Sequence, residues 1–302
     1  MDVAAFQTQR PTLFAIAYRM LGSASEAEDV LQDAYLRYAS TPPDTIRSLK
    51  SYLATIVSRL CLDRLKAART LREQYIGPWL PEPILTPTTT TDLQQTVELH
   101  ESVTLAFLVL LESLTPHERA VFLLHEVFEY AHDEIAEILA ISAANSRQIF
   151  SRAKKQLVQQ RPRFQVAPER QRQLAEGFLA AVQQGNLQVF TNLLAEEVVF
   201  RADGGGKVPS ATRPVVGRRA VTRLLAGLAA KAAEFTALGQ AIYWSSAPIN
   251  GEATLLFWVN GTLDSVWTFR MDNEAIITID SIRNPEKLAY VQRQIQAAGP
   301  LG

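Results

Sequence analysis

The sequence predicts a multidomain protein, two all-α modules followed by an α+β module, and three observations predict it. Apolar residues recur at helical spacing through the first seventy positions and again from near Glu98 to near Pro162. Two proline-bearing breaks, Glu73 to about Thr96 and Arg161 to Pro168, separate these stretches from each other and from the last third of the chain. Beyond Pro168 the chain turns to strand-length runs with an Asn-Gly turn at Asn260-Gly261 and a tight turn at Asp272-Asn273. At 302 residues the chain exceeds what one core usually organises. The expected divisions are 1–72, a flexible linker at 73–97, a second helical module at 98–163, and a last module at 168–302.

Phe6, Leu13, Phe14, Ala17, Tyr18 and Leu21 mark the first helix, which Gly22 stops. Ser25 is expected to start the second, with Val30, Leu31, Ala34 and Tyr38 inward. A third runs from about Thr45 to Leu71, burying Leu49, Leu53, Ile56, Val57, Leu60 and Leu65. In the linker, Pro78, Pro81, Pro83 and Pro87 precede the tract Thr88 to Thr91. In the second module Thr115, Pro116 and Glu118 form a capping-box helix start. A short helix, about His132 to Leu139, turns through Ala140-Ile141-Ser142 into a third, capped by Ser142, with Ala144, Ile149, Ala153 and Leu157 on its apolar side. Two helices at a steep angle around Ile135, Ala136, Ile138, Leu139, Ile141 and Ile149 read as a helix-turn-helix. The last module reads as helices at about 168–184 and 186–194, a strand from Glu197 to Arg201 and a glycine loop. A helix around Arg218 to Lys231 comes next, then strands near 236–245, 252–260, 262–271 and 275–283 in an antiparallel meander.

The apolar fraction of 47% and charged fraction of 20% are those of a globular chain. The longest apolar run, Ser102 to Leu111, is too short to span a bilayer, and Met1-Asp2-Val3 carries an acid where a secretory signal carries positive charge. The single cysteine, Cys61, excludes an internal disulfide and a cysteine metal cluster. The expectation is a cytoplasmic protein with no membrane partner, no metal and no cofactor.

The net charge of -1 conceals two basic segments. Arg47, Lys50, Arg59, Arg64, Lys66, Arg69 and Arg72 face the single acid Asp63; Arg147, Arg152, Lys154, Lys155, Arg161 and Arg163 face none between Ala143 and Phe164. Such stripes are the footprint of a polyanion or else solvated helix faces. On the last helix of the second module, Asn145, Ser146, Arg147, Gln148, Ser151, Arg152, Lys154 and Lys155 are side chains that reach bases or phosphates, which favours DNA.

Leu114-Thr115-Pro116-His117-Glu118-Arg119-Ala120-Val121-Phe122, with Tyr130, Glu134-Ile135-Ala136, Arg147-Gln148 and Arg152-Ala153, resembles region 4 of bacterial extracytoplasmic-function (ECF) sigma factors. Ala27 to Arg37 resembles region 2.2, by which such factors grip the clamp of core RNA polymerase, and Leu53 to Arg69 resembles the stretch that opens and reads the -10 element. The resemblance covers about residues 1–160. It implies core RNA polymerase, through its beta-prime clamp and beta flap, and promoter DNA as partners. Polymerase binding falls to Asp29, Gln32, Asp33, Leu36 and Arg37; -10 recognition to Tyr52, Ser58, Arg59, Asp63, Arg64 and Lys66; -35 recognition to the last helix. Many relatives carry asparagine at the position of Arg59. About 24 linker residues reach at most about 80 Å, enough to bridge two promoter elements roughly 50 to 70 Å apart.

The remainder resembles a SnoaL-like domain of the NTF2-like fold, a sheet cone wrapped by helices. Three signatures match the sigma factors that carry such a tail: Trp79-Leu80-Pro81-Glu82-Pro83, Asp203-Gly204-Gly205-Gly206-Lys207 and Asn284-Pro285-Glu286-Lys287-Leu288. Because the first lies in the linker, a contact between linker and tail is expected, Trp79 being a stiff apolar knob that needs a socket. The resemblance implies control in cis with no separate anti-sigma factor. Trp244, Phe257, Trp258, Trp267 and Phe269 read as core, though a cone lined by them has room for an apolar ligand. All four histidines precede residue 133, so none serves as a base in the tail; Asp203, Asp264 and Asp280 are better read as scaffold than as catalysts. The expected function is a transcription initiation factor and not an enzyme. The alternative is a ligand-responsive one-component regulator that binds DNA without polymerase.

Overall fold

A computed structural model describes residues 3–86, 104–160, 168–183, 187–272 and 275–299. The chain divides into two compact units, one of Met1–Gln74 with Phe107–Arg161 and one of Tyr75–Ala106 with Pro162–Gly302. The threonine tract, the start of the second module near Glu98, Arg161, Arg163 and Asn273 lie outside the described residues.

The first unit is helical. Helices α1 (Val3–Leu21) and α2 (Ala24–Ser40) pack with α3 (Leu49–Glu73). Ser23, not Ser25, caps α2, its hydroxyl accepting from the Glu26 amide at 3.1 Å. The third helix starts at Leu49 and not near Thr45, because Pro43–Thr45 closes a separate 3₁₀ turn. After α4 (Leu105–Leu111), Thr115 and Glu118 form the expected capping box of α5 (Pro116–Phe122), which runs into a π turn at Leu123–Val127. Helices α6 (His132–Leu139) and α7 (Ala143–Gln160) are joined through Ala140 in the left-handed conformation, so the helix-turn-helix is where the sequence places it.

One buried cation ties the helical blocks together. Arg119 of α5 is 2% exposed; it donates to the Leu111 carbonyl at 2.7 and 3.1 Å and to the Met20 carbonyl at 2.8 Å, and pairs with Glu112 at 2.7 Å. A guanidinium meets three directions at once, which no apolar residue of that size does.

The second unit holds α8 (Pro168–Gln183), α9 (Leu187–Asn192), β1 (Leu194–Asp203), β2 (Val215–Val216), α10 (Arg218–Ala237), β3 (Ile242–Ile249), β4 (Glu252–Val259), β5 (Thr262–Met271), β6 (Ile276–Ile282) and α11 (Pro285–Ala298). The sheet order is β2-β1-β6-β5-β4-β3. The meander β3 to β6 is antiparallel as expected, with Asn260 and Gly261 both at positive φ in its hairpin turn. The sheet as a whole is mixed, because β6 returns beside β1 in parallel. Register shifts at Phe257/Trp258, Arg270/Met271 and Leu194/Val199 mark bulges that bend the strands. Helix α11, unanticipated in the sequence, is capped by Asn284 with Pro285 at its first position.

Strand alternation gives the sheet two buried faces. One carries Phe200, Ala202, Leu255, Trp267 and Ile279 against Phe178 of α8 and Val221 and Leu225 of α10. The next residues along, Asp203, Ile282, Val266 and Leu256, are paired across β1, β6, β5 and β4 and point the other way. This is an α+β unit, the layout the sequence implied, with a six-stranded mixed sheet.

Candidate functional site

Helix α7 presents the expected basic surface. Asn145, Arg147, Gln148, Ser151, Arg152, Lys154 and Lys155 are exposed, while Ile149, Ala153 and Leu157 seat the helix in its bundle. The 3.6-residue period separates the two sets. Two expectations fail here. Ser146 is fully buried with its hydroxyl 2.9 Å from His132 Nδ1, so it fixes the corner of the helix-turn-helix and is out of reach of DNA. Ala144 is exposed rather than on the apolar side. Lys154 pairs with Glu126 at 3.2 Å. His132 stacks on His125 at 4.2 Å, and burial, with His125 and Arg147 nearby, lowers its pKa.

Along α3 the candidate -10 residues are in four situations. Asp63 and Lys66 are exposed. Tyr52 is half-buried, its hydroxyl 2.6 Å from Thr41 Oγ1. Ser58 is a correction: it is completely buried, because its position on α3 faces the bundle alongside Leu62 and Ala54, and its hydroxyl has no hydrogen-bond partner among the described residues. Arg59 and Arg64 are held by protein. Arg59 donates to the carbonyls of Ile138 at 3.0 Å and Glu137 at 3.3 Å, the last turn of α6, where a cation complements the helix dipole. Arg64 reaches α2, donating to the Glu26 carbonyl at 3.1 Å and to Asp33 at 3.0 Å, with Asp29 at 3.7 Å. Lys50 lies over the Tyr130 ring. The first unit thus holds the -10 candidate helix against the helix-turn-helix.

On α2, Asp29, Gln32, Leu36 and Arg37 are exposed and Asp33 is half-buried. Leu36, 59% exposed, is a large apolar side chain open to solvent in the middle of an acidic face.

The three tail signatures converge on one carboxylate. Asp203 is wholly buried at the end of β1 and accepts from the Tyr75 hydroxyl at 2.6 Å, the Leu80 amide at 2.8 Å and Lys287 Nζ at 2.7 Å. Lys287, itself 6% exposed, also donates to the Leu80 carbonyl and lies 4.1 Å from the centre of the Trp79 ring. The Asp203 carbonyl accepts from the amides of Arg283 and Asn284, and Asn284 Nδ2 donates to Tyr75 at 3.0 Å. Burial and the Asp203 hydrogen bond push the Tyr75 hydroxyl well above its ordinary pKa, so it stays a donor. Gly205 and Gly206 have positive φ; a Cβ on Gly205 would fall 2.3 Å from Asn284 Nδ2, and one on Gly206 2.8 Å from Ile76 Cδ1. These glycines let the loop come close to Asn284 and to Tyr75 and Ile76 of the linker. Lys207 is exposed and pairs with Glu286 at 2.9 Å.

The linker expectation needs correction for residues 75–86. Far from being flexible, this segment belongs to the second unit: Leu80 is 1% exposed, Pro81, Glu82 and Pro83 are buried, and Leu85 bridges Ile249 on edge strand β3. Ile84 and Asn250 exchange hydrogen bonds of 2.9 and 3.0 Å, and the Leu85 amide donates to Gln294 at 2.8 Å. Trp79, expected to be the seated knob, is only half-buried, and its neighbour Leu80 fills the socket. Sequence reasoning missed Tyr75, Asn250 and Gln294, and named Leu80 only as part of its signature; only the Asn-Pro cap at Asn284 left a local signal.

Asp264 and Asp280 are scaffold. Asp280 is held by Arg201 through two hydrogen bonds of 2.6 Å, and Asp264 by Arg283 at 2.9 and 3.2 Å. No helix among the described residues is long and apolar enough to cross a membrane.

The family described as Sigma-70 region 2 matches residues 5–70, and that described as Sigma-70, region 4 matches residues 104–157. The chain is 40% identical over 230 residues to the ECF RNA polymerase sigma factor SigJ of Mycobacterium tuberculosis, covering 76% of this chain and 73% of that protein. It is 34% identical over 202 residues to the probable ECF RNA polymerase sigma factor SigI of the same species, covering 66% and 69%. The crystal structure of M. tuberculosis SigJ superposes with a TM-score of 0.74 at 32% identity, over 96% of this chain and 99% of that one.

Proposed function

The chain belongs to the ECF RNA polymerase sigma factors, transcription initiation factors and not enzymes, and from that premise we propose how its surfaces divide the work and how its second unit controls them. RNA polymerase and promoter DNA are the partners such a factor has. The face of α2 around Asp29, Gln32, Asp33, Leu36 and Arg37 docks on the beta-prime clamp, with region 4 on the beta flap. Arg147, Gln148 and Arg152 read the -35 element from the start of α7, while Lys154 and Lys155 hold phosphates. Tyr52, Arg59, Asp63, Arg64 and Lys66 serve the -10 element; Arg59 does so only after it leaves the α6 carbonyls. The work is done in the cytoplasm, where polymerase is.

Control in cis rests on one observation: Asp203 binds the backbone and side chains of residues 75–80, the stretch that leads out of region 2. A carboxylate, a lysine and a cap asparagine buried together form an all-or-none clamp, because losing any member strands the others without solvent. Chain held at 75–86 is subtracted from the span between regions 2 and 4, and the second promoter contact depends on that span through effective concentration. The clamp thereby takes the place of a separate anti-sigma factor.

The test is run-off transcription with purified core polymerase, comparing the full chain, a chain cut near residue 165, and Asp203→Ala. Both altered chains should differ from the full chain by about five- to 150-fold, the range of a 1 to 3 kcal/mol coupling, with unchanged affinity of region 4 for -35 DNA. Equal activity in all three chains would reduce the second unit to a passenger.

A further inference from the structure

We propose that His132 is a further DNA-contact residue of region 4: it meets a backbone phosphate of the -35 element as an imidazolium, so that DNA binding takes up a proton. This contact rests on the reading of region 4 as the module that holds -35 DNA.

The helix-turn-helix gives His132 its place. In such a motif the first helix crosses the DNA backbone while the second enters the major groove, and His132 is the first residue of α6. Its ring is fastened to the second helix, with Nδ1 2.9 Å from the buried Ser146 hydroxyl. The residue after Ser146 is Arg147, exposed on the recognition surface. His132 is half-buried, and no hydrogen bond engages its Nε2 among the described residues. The ring is thus held at the corner by one nitrogen, and the other is left for a ligand.

An imidazolium donates from both nitrogens, and a serine hydroxyl accepts as readily as it donates. The corner therefore holds the charged ring with neither N–H stranded, Nδ1 donating to Ser146 and Nε2 to a phosphate oxygen. His125 is bonded differently. Its Nδ1 lies 2.9 Å from the Tyr130 carbonyl, which only accepts, and its ring stands edge-on to Phe150 at 4.5 Å.

Without DNA the corner favours the neutral ring. Burial, the His125 ring stacked at 4.2 Å and the fixed charge of Arg147 all lower the His132 pKa, against Asp133 on its own helix. The other charged groups around the pair are engaged. Glu134 accepts from the Ala131 amide at 2.8 Å, Glu126 pairs with Lys154 at 3.2 Å, and Lys50 of α3 lies over the Tyr130 ring, whose hydroxyl burial keeps protonated. A phosphate reverses the balance, because it sets negative charge against Arg147 and His132 together. The His132 pKa then rises on binding, so the contact is present at low pH and is lost as pH rises through the bound-state value.

The test is fluorescence anisotropy of the full chain on a -35 duplex at pH 5.5 and pH 8, for wild type and for His132→Gln, which keeps a polar group for Ser146 but does not titrate. Wild type should bind about 5- to 10-fold more tightly at pH 5.5, the gain of one charge-assisted contact. His132→Gln should lose most of that difference and match wild type at pH 8. At pH 5.5 its salt slope should also be shallower by about one, which a merely structural role at the corner would not produce. An equal pH difference in both proteins, or equal salt slopes at pH 5.5, would overturn the contact. If His132→Gln melts below wild type, the wild type decides alone: with isotope-labelled histidines, the His132 ring should titrate at higher pH with the duplex bound than without it. An unmoved titration, or a proton taken up at His125 instead, overturns the contact. Duplex binding without proton uptake at His132 overturns this contact only, whereas no duplex binding at either pH overturns the -35 reading and the contact with it.

Discussion

At the scale of single residues, burial separates side chains that the sequence presents as equals. Ser146 and Arg147 are adjacent on the expected recognition helix, yet one is sealed against His132 and the other is open to solvent. Arg147→Ala should cost about 1 to 3 kcal/mol and relax base preference in the -35 element, whereas Lys155→Ala should weaken all sequences alike and lower the salt slope. Fluorescence anisotropy on promoter variants across salt concentrations checks this; identical effects of both changes on every variant would contradict the division of roles. Glu252, at the start of β4, is desolvated and its carboxyl is pushed up to about 7. A folded-state pKa above the unfolded one means that the native state holds the proton longer, so this residue's contribution is present below about pH 4.5 and lost as pH rises through about 7. Glu252→Gln should remove that slope, worth about 1 to 3 kcal/mol. Urea midpoints between pH 5 and pH 8 that fall equally in both proteins would count against it.

At the scale of elements, α2 offers a face whose acids are not free. Arg64 spans Asp29 and Asp33, so reversing those charges would set lysines against an arginine and disturb the bundle as well as any docking surface. Leu36 is the cleaner probe, being exposed and without a structural task in its bundle. Leu36→Asp should leave the melting temperature within about 1 °C, since surface changes usually stay within ±0.5 kcal/mol, and should weaken capture of core polymerase. Undiminished capture would place the polymerase contact elsewhere. Helix α3 carries a second lesson. Its basic stripe reads as a DNA surface, yet two of its arginines satisfy backbone carbonyls of α6 and α2.

At the scale of the whole molecule, Arg119 is the buried cation on which the helical unit closes. Replacing it by methionine keeps the volume but strands Glu112 and the carbonyls of Leu111 and Met20, which should cost about 3 to 5 kcal/mol. Chemical denaturation should show this as a lowered midpoint, and a midpoint within experimental error of wild type would remove Arg119 from this role.

The sequence by itself determined the order of modules, the helix-turn-helix with its caps, the Asn-Gly hairpin, and the family, because each is written in short-range signals: a 3.6-residue period, a Thr-Pro-x-Glu start, a turn that needs positive φ. It also named three signatures and the contact of linker with tail. Only the tertiary structure decided that Asp203 is where they meet, since Tyr75 and Leu80 lie well over a hundred residues from it and no local pattern encodes such a distance. The same holds for the parallel return of β6 beside β1, for Leu80 rather than Trp79 in the socket, and for Arg59 bonded to α6. A solvated charge and a buried one look alike in sequence; their difference is the water removed by chain that arrives from elsewhere in the fold.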